Sequence, residues 1–392
     1  MVSTLDPRYG LINKLIIPVM NFNITKEVKL TDEIFDARYH SEKEDLICVA
    51  TIAGDVHIIE NGELRTKLRK HHKGSPIRRV RFDSDGHMIT IAKTIKIHDL
   101  EANQTIQSLR RNDGEKTTFY SVMPLGASII CAGDDAGKVF VWDTRTPEEP
   151  LFTSCDCEQY ISGIDGKYEG RRMFVCTSGE GTLTAYDLRA NKMIEPQSEL
   201  FEAGFQCVKM VESNKKVVVG GEDGAVYVFN QGEWGHTSGK FAFNDDTQNR
   251  GKCSIEGIDI IPDSSTFLTA GSDGRLRSVT LWPHKVLGER VVCKRNSLDT
   301  IHVNPHEGKS EVLVGGDKYI NVLSYEEKFE DDDDTGVTDD SETNSSDTSE
   351  DDEDKHRIDN ESSKRRDLSP SASNSDKKKL KADKEDYLNI FK

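Results

Sequence analysis

Short apolar runs alternate with polar, glycine-rich turns along most of this chain, and residues 129–143 show the pattern most clearly. Residues 129–132 are apolar, residues 134–137 carry the polar and glycine residues of a tight turn, and residues 139–142 form a second run rich in β-branched and aromatic side chains. Such runs favour strands, and such turns join neighbouring strands. The stretch therefore predicts two antiparallel strands joined by a hairpin.

The same phrase returns along the chain at a nearly constant spacing. The residue five positions after each turn marks the repeat, and the successive intervals are 39, 44, 44, 43, 50 and 43 residues. This spacing is typical of propeller blades, which bury their apolar faces by stacking on one another. Seven copies predict an all-β, seven-bladed β-propeller. The marker residues are Ile59, His98, Trp142, Tyr186, Phe229, Val279 and Val322.

Over residues 15–325 the chain resembles the WD-repeat proteins, which implies a WD40-type propeller. Trp142-Asp143 keeps the dipeptide that names the family, and Tyr186-Asp187 replaces it in the next blade. The Gly-His dipeptide that opens a standard repeat has its nearest counterpart at His72. The family's buried Asp-His-Ser/Thr-Trp network is therefore not expected in most blades, and the fold is expected to depend mainly on packing.

The pattern divides the chain into a lead at residues 1–14, the propeller at 15–325 and a tail at 326–392. The last blade shows only three strands of its own, so residues 15–24 are expected to supply its outermost strand and close the ring. The apolar stretch at residues 11–20 is too short for a membrane span, so a soluble intracellular protein without a membrane partner is expected. An insertion at residues 231–252 carries Trp234, which either anchors a partner or folds back onto its blade.

The tail changes composition abruptly. Residues 330–354 include 14 acids and neither Lys nor Arg, and residues 355–392 carry 11 Lys or Arg against 7 acids. With so little apolar surface to bury, the tail is predicted to be disordered. Its acidic and basic parts suit encounters with basic ribosomal proteins, histones or RNA.

Two basic clusters in the tail, separated by a ten-residue spacer, have the spacing that a nuclear import receptor reads. A solvated run of charge is the alternative. Thr348 and Ser349, each followed three positions later by an acid, and Ser369, followed by proline within the spacer, are candidate phosphorylation sites. Phosphate on Ser369 would add negative charge beside the import signal and weaken receptor binding. The cluster residues are Lys364, Arg365, Arg366, Lys377, Lys378, Lys379 and Lys381.

Sequence signals for catalysis or metal binding are weak. The chain contains no Ser/His/Asp arrangement, Walker loop, dinucleotide fingerprint or zinc-protease motif. The eight cysteines are scattered, as suits free thiols in a reducing compartment. The closest pair, Cys155 and Cys157, lacks the further ligands of a metal site. We therefore expect a binding protein rather than an enzyme, with no catalytic residue, metal, cofactor or small-molecule substrate.

Eight positive charges without an intervening acid lie between Leu64 and Phe82. They cover the predicted outer strand of blade 1 and the loop and first strand of blade 2, so several are expected to share a rim or face. An RNA phosphate patch, a solvated face and a dock for the acidic tail remain open. Interleaved aromatic residues that would stack on bases are absent from this segment. The eight are Arg65, Lys67, Arg69, Lys70, Lys73, Arg78, Arg79 and Arg81.

Two short segments resemble the Trp-Asp-x-Arg box by which some WD-repeat proteins attach, as substrate receptors, to the adaptor of a cullin-RING ubiquitin ligase. One runs from Trp142 and Asp143 to Arg145, and the other ends in Asp187 and Arg189. The alternative is an Asp–Arg pair within the propeller, which is common at the end of a blade strand. The receptor function requires Arg145 or Arg189 to be exposed on one face.

The whole arrangement, a degenerate propeller followed by an acidic Ser-rich segment and a Lys-rich end, resembles the nucleolar WD-repeat fifty-five family in its fungal form. The resemblance is carried by the blade phrases at residues 132–143 and 219–230 and by the tail clusters at 364–366 and 377–381. It implies a non-enzymatic scaffold of the nucleus, mainly the nucleolus, that acts in ribosome biogenesis and pre-rRNA processing. Ribosome-assembly proteins are the implied partners, and pre-ribosomal RNA is a further candidate. The ligase receptor and a chromatin- or histone-binding propeller stay open as alternatives, and the latter requires an acidic central pocket.

Overall fold

The computed structural model describes residues 18–111, 114–168, 170, 172–243, 253–281 and 284–328. Within these residues the chain forms seven four-stranded antiparallel sheets, whose innermost strands contact one another in a closed ring. The predicted all-β, seven-bladed propeller is confirmed. The helical structure in this described part is a single 3-10 turn, Glu212–Asn214. The predictions for the tail beyond residue 328 lie outside the described residues.

Each blade has an innermost strand that lines the central channel and a second strand that pairs with it. The innermost strands of blades 1 to 7 are β2 (Ile34–Tyr39), β6 (Arg79–Phe82), β10 (Phe119–Leu125), β14 (Ile161–Lys167), β18 (Phe205–Val211), β22 (Ile255–Ile260) and β26 (Thr300–Val303). The second strands are β3 (Leu46–Thr51), β7 (Met88–Ile91), β11 (Ile129–Asp134), β15 (Met173–Ser178), β19 (Lys216–Gly221), β23 (Thr266–Gly271) and β27 (Glu311–Gly316).

A third and an outermost strand complete each blade. The third strands are β4 (Val56–Glu60), β8 (Ile95–Asp99), β12 (Lys138–Asp143), β16 (Leu183–Asp187), β20 (Ala225–Asn230), β24 (Arg275–Leu281) and β28 (Tyr319–Lys328). The outermost strands are β5 (Glu63–Leu68), β9 (Gln104–Leu109), β13 (Phe152–Cys155), β17 (Lys192–Ile194), β21 (Gly239–Ala242), β25 (His284–Val291) and, for blade 7, β1 (Val19–Lys29).

Blade 7 takes its outermost strand from the segment that precedes blade 1. β1 pairs antiparallel with β28, from Val19 opposite Lys328 to Lys29 opposite Tyr319. The Thr25 hydroxyl also donates to the Val322 carbonyl at 3.0 Å. This is the place that the sequence assigned to residues 15–24, although the strand continues to Lys29. Pairing of the first strand with the last ties the ring shut, as closed β architectures require.

The apolar core lies between the blades and explains the hydrophobic runs of the sequence. Every residue of β3, β7, β15 and β23 is buried, because the faces of these central strands are covered by neighbouring blades. Between blades 2 and 3, the rings of Phe119 and Trp142 meet edge-on with centroids 5.6 Å apart. Trp234 is also buried, in the core between blades 4 and 5. It folds back onto the propeller, and the interpretation of an exposed anchor is wrong.

Polar pairs inside the blades replace most of the family's standard buried network. Blade 2 retains the His–Thr part, because the rings of His71 and His72 bond to the Thr90 hydroxyl at 3.0 and 2.9 Å. Blades 3 to 6 use different residues for the same purpose, which is to satisfy polar atoms between strands. These pairs are Arg111–Asp134, Tyr186–Asp156, Tyr227–Asp223 and Arg277–Asp273.

A register irregularity recurs near the start of the innermost strand in five blades. It falls beside Phe35, Tyr120, Ser162, Gln206 and Glu256, which have no Cα partner on the second strand. Such a bulge leaves one residue unpaired and redirects its side chain. Four of the five unpaired residues line one end of the channel, so the bulge supplies that end with one side chain from each of several blades.

Candidate functional site

Different connections between strands form the two faces of the propeller. We call the face at which each innermost strand begins the upper face. Because the strands of a blade alternate in direction, this face also holds the loops between blades and the turns between second and third strands. The opposite, lower face holds the remaining turns. Loops carried by a rigid scaffold are the usual place for binding residues.

Inside the channel, charged side chains pair with one another. Asp36 accepts hydrogen bonds from the Val80 amide at 3.0 Å, the Thr300 hydroxyl at 2.7 Å and Arg81 at 2.5 Å. Burial alone would raise the pKa of Asp36, but the positive charges of Arg81 and then Arg38 hold it well below the usual range. These bonds join neighbouring blades, so the interior charges act as structural ties.

Asp259 and Asp165 also join neighbouring blades through hydrogen bonds, and Asp259 does so through an ion pair as well. Asp259 accepts from the Val303 amide at 2.8 Å and lies 3.0 Å from the Lys209 ammonium. Asp165 accepts from the Met210 amide at 2.7 Å. Each carboxylate thus fixes the innermost strand of the following blade.

The upper end of the channel is different, and we call it the mouth; it is built around Phe35, Arg78, Tyr120, Glu256 and Asp299. The Arg78 guanidinium lies over the rings of Tyr120 and Phe35, at 4.5 and 5.4 Å from their centroids. Tyr160 extends this aromatic side, because its ring centroid is 4.6 Å from that of Tyr120. Flat rings around an opening provide surface on which a cationic group binds.

Carboxylates form the other side of the mouth. Burial raises the pKa of both Glu256 and Asp299, and each is also near another acid, Asp299 for Glu256 and Asp317 for Asp299. Arg79 lowers both pKa values but does not reverse the shift. Neither carboxylate forms an ion pair with any residue that the structure describes. The mouth therefore holds negative charge that the described chain compensates only in part, through Arg79.

The eight cations of the predicted patch are dispersed. Arg65 pairs with Glu60 at 2.7 Å on the outer edge of blade 1, and Lys67 lies 2.7 and 3.0 Å from Asp32 and Asp55. Arg81 is inside the channel, and Arg78 and Arg79 are at the mouth. Only Arg69, Lys70 and Lys73 remain together, in the loop between β5 and β6 on the upper face.

Sequence reasoning missed three cations that join Lys73 at the upper end of blade 2. Lys93 lies in the turn between β7 and β8, Lys96 is the second residue of β8, and Arg110 follows β9 directly. Burial lowers the pKa of Lys96, and the positive charges of Lys73 and Arg110 lower it further. We call these four residues the shoulder. They are up to 37 positions apart in the sequence, and only the antiparallel order of the blade brings them to one end.

Comparison with curated proteins supports the family assignment, although no family model matches the chain. Over 314 residues it is 29% identical to a protein of Drosophila persimilis named WD repeat-containing protein 55 homolog, with 78% of this chain and 58% of the relative covered. Over 286 residues it is 30% identical to the protein of that name from Drosophila melanogaster, with 71% and 54% covered. The chain is a WD-repeat protein resembling the WD-repeat 55 family. It spans little more than half the length of these relatives, and the predicted fungal form stays a prediction.

In this WD-repeat protein the two Trp-Asp-x-Arg-like segments end on the lower face. Trp142 is buried in the core, and Asp143 holds Arg145 through contacts of 2.9 and 2.5 Å. The hydrogen bonds from Arg145 lower the pKa of Asp143 to about 2. Arg145 nevertheless remains 75% exposed.

The second segment is arranged in a similar way. Asp187 accepts from the Arg189 amide at 2.8 Å, and the Arg189 guanidinium donates to the Gly170 carbonyl at 2.9 Å. Arg189 is also exposed. Both arginines lie in the connections between third and outermost strands of adjacent blades, so they share the lower face.

Several other sequence predictions find no matching site or lie outside the description. The import clusters at residues 364–366 and 377–381 and the candidate phosphorylation sites Thr348, Ser349 and Ser369 are outside the described residues. Among the described residues, no three His, Cys, Asp or Glu side chains are grouped to hold a metal, and Cys157 is buried while Cys155 is exposed. The described part also contains no helix long and apolar enough to cross a bilayer.

Proposed function

We propose that this protein is a non-catalytic scaffold of the nucleus, mainly the nucleolus, that acts in ribosome biogenesis and pre-rRNA processing. The resemblance to the WD-repeat 55 family supports the proposal. The two tail clusters support entry into the nucleus through an import receptor. The observation that carries the binding role is the mouth, where aromatic rings lie beside two carboxylates that have no ion-pair partner among the described residues.

The chemistry of the mouth fits a basic protein segment. A carboxylate with a raised pKa lacks the cation that would stabilise its charge. A lysine or arginine from a partner supplies that cation while its alkyl stem and charged head contact the rings of Phe35, Tyr120 and Tyr160. Proteins that assemble on ribosomal RNA are rich in such basic segments, so ribosome-assembly proteins are the proposed partners.

The proposal is tested by affinity purification of the full chain from nuclear extract, with and without ribonuclease. We expect ribosome-assembly factors as the main partners, and part of that set to survive ribonuclease because it contacts the mouth directly. Glu256→Gln with Asp299→Asn should lower the affinity for these direct partners about a hundredfold or more, since each lost charged contact is worth roughly 1.5–3 kcal/mol and about 1.4 kcal/mol corresponds to a factor of ten.

A matched control distinguishes the effect of the mouth residues from the effect of a change in net charge. Asp85→Asn with Glu307→Gln removes the same two charges from exposed positions on the lower face and should leave recovery unchanged. Equal recovery with the mouth variant and the wild type would contradict binding at the mouth. Purification without any ribosome-assembly factor would contradict the scaffold function.

A ubiquitin-ligase substrate receptor is a second candidate, because Arg145 and Arg189 are both exposed on the lower face. It requires recovery of a ligase adaptor that is lost on Arg145→Ala. The Asp143–Arg145 ion pair gives Arg145 a local role that needs no partner, which is why we place this function second.

A chromatin-binding propeller is the third candidate, since the acidic mouth also fits a histone tail. It requires histones, retained in a salt-sensitive manner, to dominate the purified material. Their recovery in place of assembly factors would replace the leading proposal.

A further inference from the structure

We propose that the shoulder of blade 2, formed by Lys73, Lys93, Lys96 and Arg110, binds the phosphate groups of an RNA strand. Which RNA is bound in the cell is the one part of this inference that rests on the proposed function. Its chemistry rests on the geometry of the shoulder alone.

Three separate connections deliver the four cations to one place. Lys73 comes from the loop that enters blade 2, Lys93 and Lys96 flank the start of its third strand, and Arg110 begins the loop that leaves it. Lys73, Lys93 and Arg110 are exposed, and Lys96 is half-buried among them. The arrangement is a group of positive charges on a well-ordered blade end.

The positive charge of the shoulder is not neutralised by the part of the chain that the structure describes. None of the four residues forms an ion pair with a described carboxylate. Glu115, in the loop that follows Arg110, instead lies 2.7 Å from Lys138. Lys73 and Arg110 both lower the pKa of Lys96, which is the effect of like charges held close together. An anion bound among these cations relieves that repulsion.

A buried, uncharged base holds Lys96, one of the four shoulder residues, in place. The Lys96 ammonium donates to the His71 carbonyl at 2.5 Å. The rings of His71 and His72 are fixed by Thr90, and burial lowers their pKa values to about 4 and about 3. Both rings are therefore neutral at physiological pH. The Lys96 ammonium is therefore positioned before binding, which reduces the entropy lost when the complex forms.

The surroundings of the shoulder favour RNA over an acidic protein. Protein interfaces depend on buried aromatic or aliphatic anchors, whereas the four shoulder residues include none. The large exposed apolar residues nearest in sequence are Leu64, on the outermost strand β5 of blade 1, and Ile106, on the outermost strand β9. Lysine-rich surfaces without stacking rings contact phosphates and do not read bases. The site should therefore show little sequence preference.

The test is a titration of purified full-length protein into labelled single-stranded RNA of mixed sequence, followed by fluorescence anisotropy at several salt concentrations. The variant is Lys73→Gln with Lys93→Gln and Arg110→Gln; Lys96 is kept because it bonds to the backbone. We expect the Kd to rise about tenfold or more. We also expect the slope of log affinity against log salt to become shallower by about 2, the value for three lost phosphate contacts on a single strand.

The control is Lys43→Gln with Lys167→Gln and Lys309→Gln. It changes net charge equally, but on the lower face, where these cations pair with Glu101, Glu212 and Glu44. Its affinity and salt slope should match the wild type. Unchanged unfolding midpoints for both variants exclude misfolding as the cause.

Three outcomes would overturn the inference. The first is that the shoulder variant binds RNA as tightly as the wild type does. The second is that the control variant loses as much affinity as the shoulder variant. The third is that polyglutamate displaces the RNA at equal charge concentration, which would assign the site to acidic proteins. Because the titration uses only purified protein and RNA, its failure leaves the scaffold proposal standing. Failure of the purification from nuclear extract, conversely, leaves the phosphate site standing.

Discussion

The channel interior and the mouth are built by the same innermost strands, yet they treat negative charge in opposite ways. In the interior, Asp36 and Asp259 are buried beside cations that hold their pKa values below the usual range, although burial raises the pKa of Asp165 nearby. At the mouth, burial raises the pKa values of Glu256 and Asp299, and the described chain supplies neither with an ion-pair partner. Charge that is satisfied within the ring stabilises the fold, whereas charge that is left unsatisfied at its rim is available to a partner.

The largest effect is expected inside the channel. Asp36→Ala removes the buried acceptor for the Val80 amide and the Thr300 hydroxyl and leaves the half-buried Arg81 guanidinium without its counter-ion. Removal of one partner from a buried ion pair costs about 3–5 kcal/mol. Urea unfolding should show that loss, and Asp85→Ala, at an exposed site on the lower face, should stay within about 0.5 kcal/mol of the wild type. A loss for Asp36→Ala no larger than the control's would show that the interior ties are not structural.

A smaller effect of opposite sign is expected at the mouth. Because the raised pKa values of Glu256 and Asp299 mean that the folded state holds their protons more tightly, each ionised group disfavours folding at neutral pH. Glu256→Gln with Asp299→Asn should therefore raise the free energy of unfolding at pH 7, by about 1 kcal/mol or less. The gain should vanish below about pH 3, where both carboxyls are mostly protonated in the folded and the unfolded state. Unfolding curves at several pH values measure this, and a destabilised double variant would contradict it.

The aromatic side of the mouth gives a third comparison. Arg78 lies over the rings of Tyr120 and Phe35, where a partner's cation would otherwise bind. Arg78→Ala removes a competing positive charge and uncovers the rings, so the affinity for a lysine-rich peptide should rise about threefold, within the range of one cation–π contact. Calorimetric titration measures the change. Weaker binding would show that Arg78 itself contacts the partner.

The smallest effect is expected for the exposed ion pair on the lower face. Asp143 and Arg145 are as close as Asp36 and Arg81, at 2.5 Å in each pair, but Arg145 is 75% exposed. Since exposed ion pairs contribute about 0–1 kcal/mol, Arg145→Ala should change the free energy of unfolding by less than about 0.5 kcal/mol. Urea unfolding checks this, and a loss comparable to that of Asp36→Ala would mean that burial does not control the strength of these pairs.

The blades were predictable from the sequence because their central strands are buried on both faces and read as unbroken apolar runs. The hairpin around Cys131 and Trp142 is one such case, and its pattern repeats seven times. Trp234 shows the limit of this reasoning, because the same sequence is compatible with an exposed ring or a buried one. Its position was decided by contacts with residues of blades 4 and 5 that are distant along the chain.

The mouth and the shoulder could not be predicted, for a topological reason. Several blades contribute one or two residues each to the mouth, so Phe35 and Glu256 line one opening although the sequence separates them by most of the propeller. The shoulder combines residues from three separate connections of blade 2. The predicted patch failed to stay together for the same reason. Neighbours in the sequence such as Lys67 and Arg81 belong to an outermost and an innermost strand, which lie at opposite edges of their blades. Knowledge of the strand order would have identified Lys93, Lys96 and Arg110 as companions of Lys73.

The pairing of β1 with β28 has a consequence for synthesis on the ribosome. Thr25 and Val322, which bond across this pair, are 297 positions apart. Translation must therefore deliver nearly every blade before β1 finds its partner, and until then the nascent chain exposes unpaired strand edges that invite other strands to bind. Two copies released too early can exchange their first strands and emerge as an interlocked dimer.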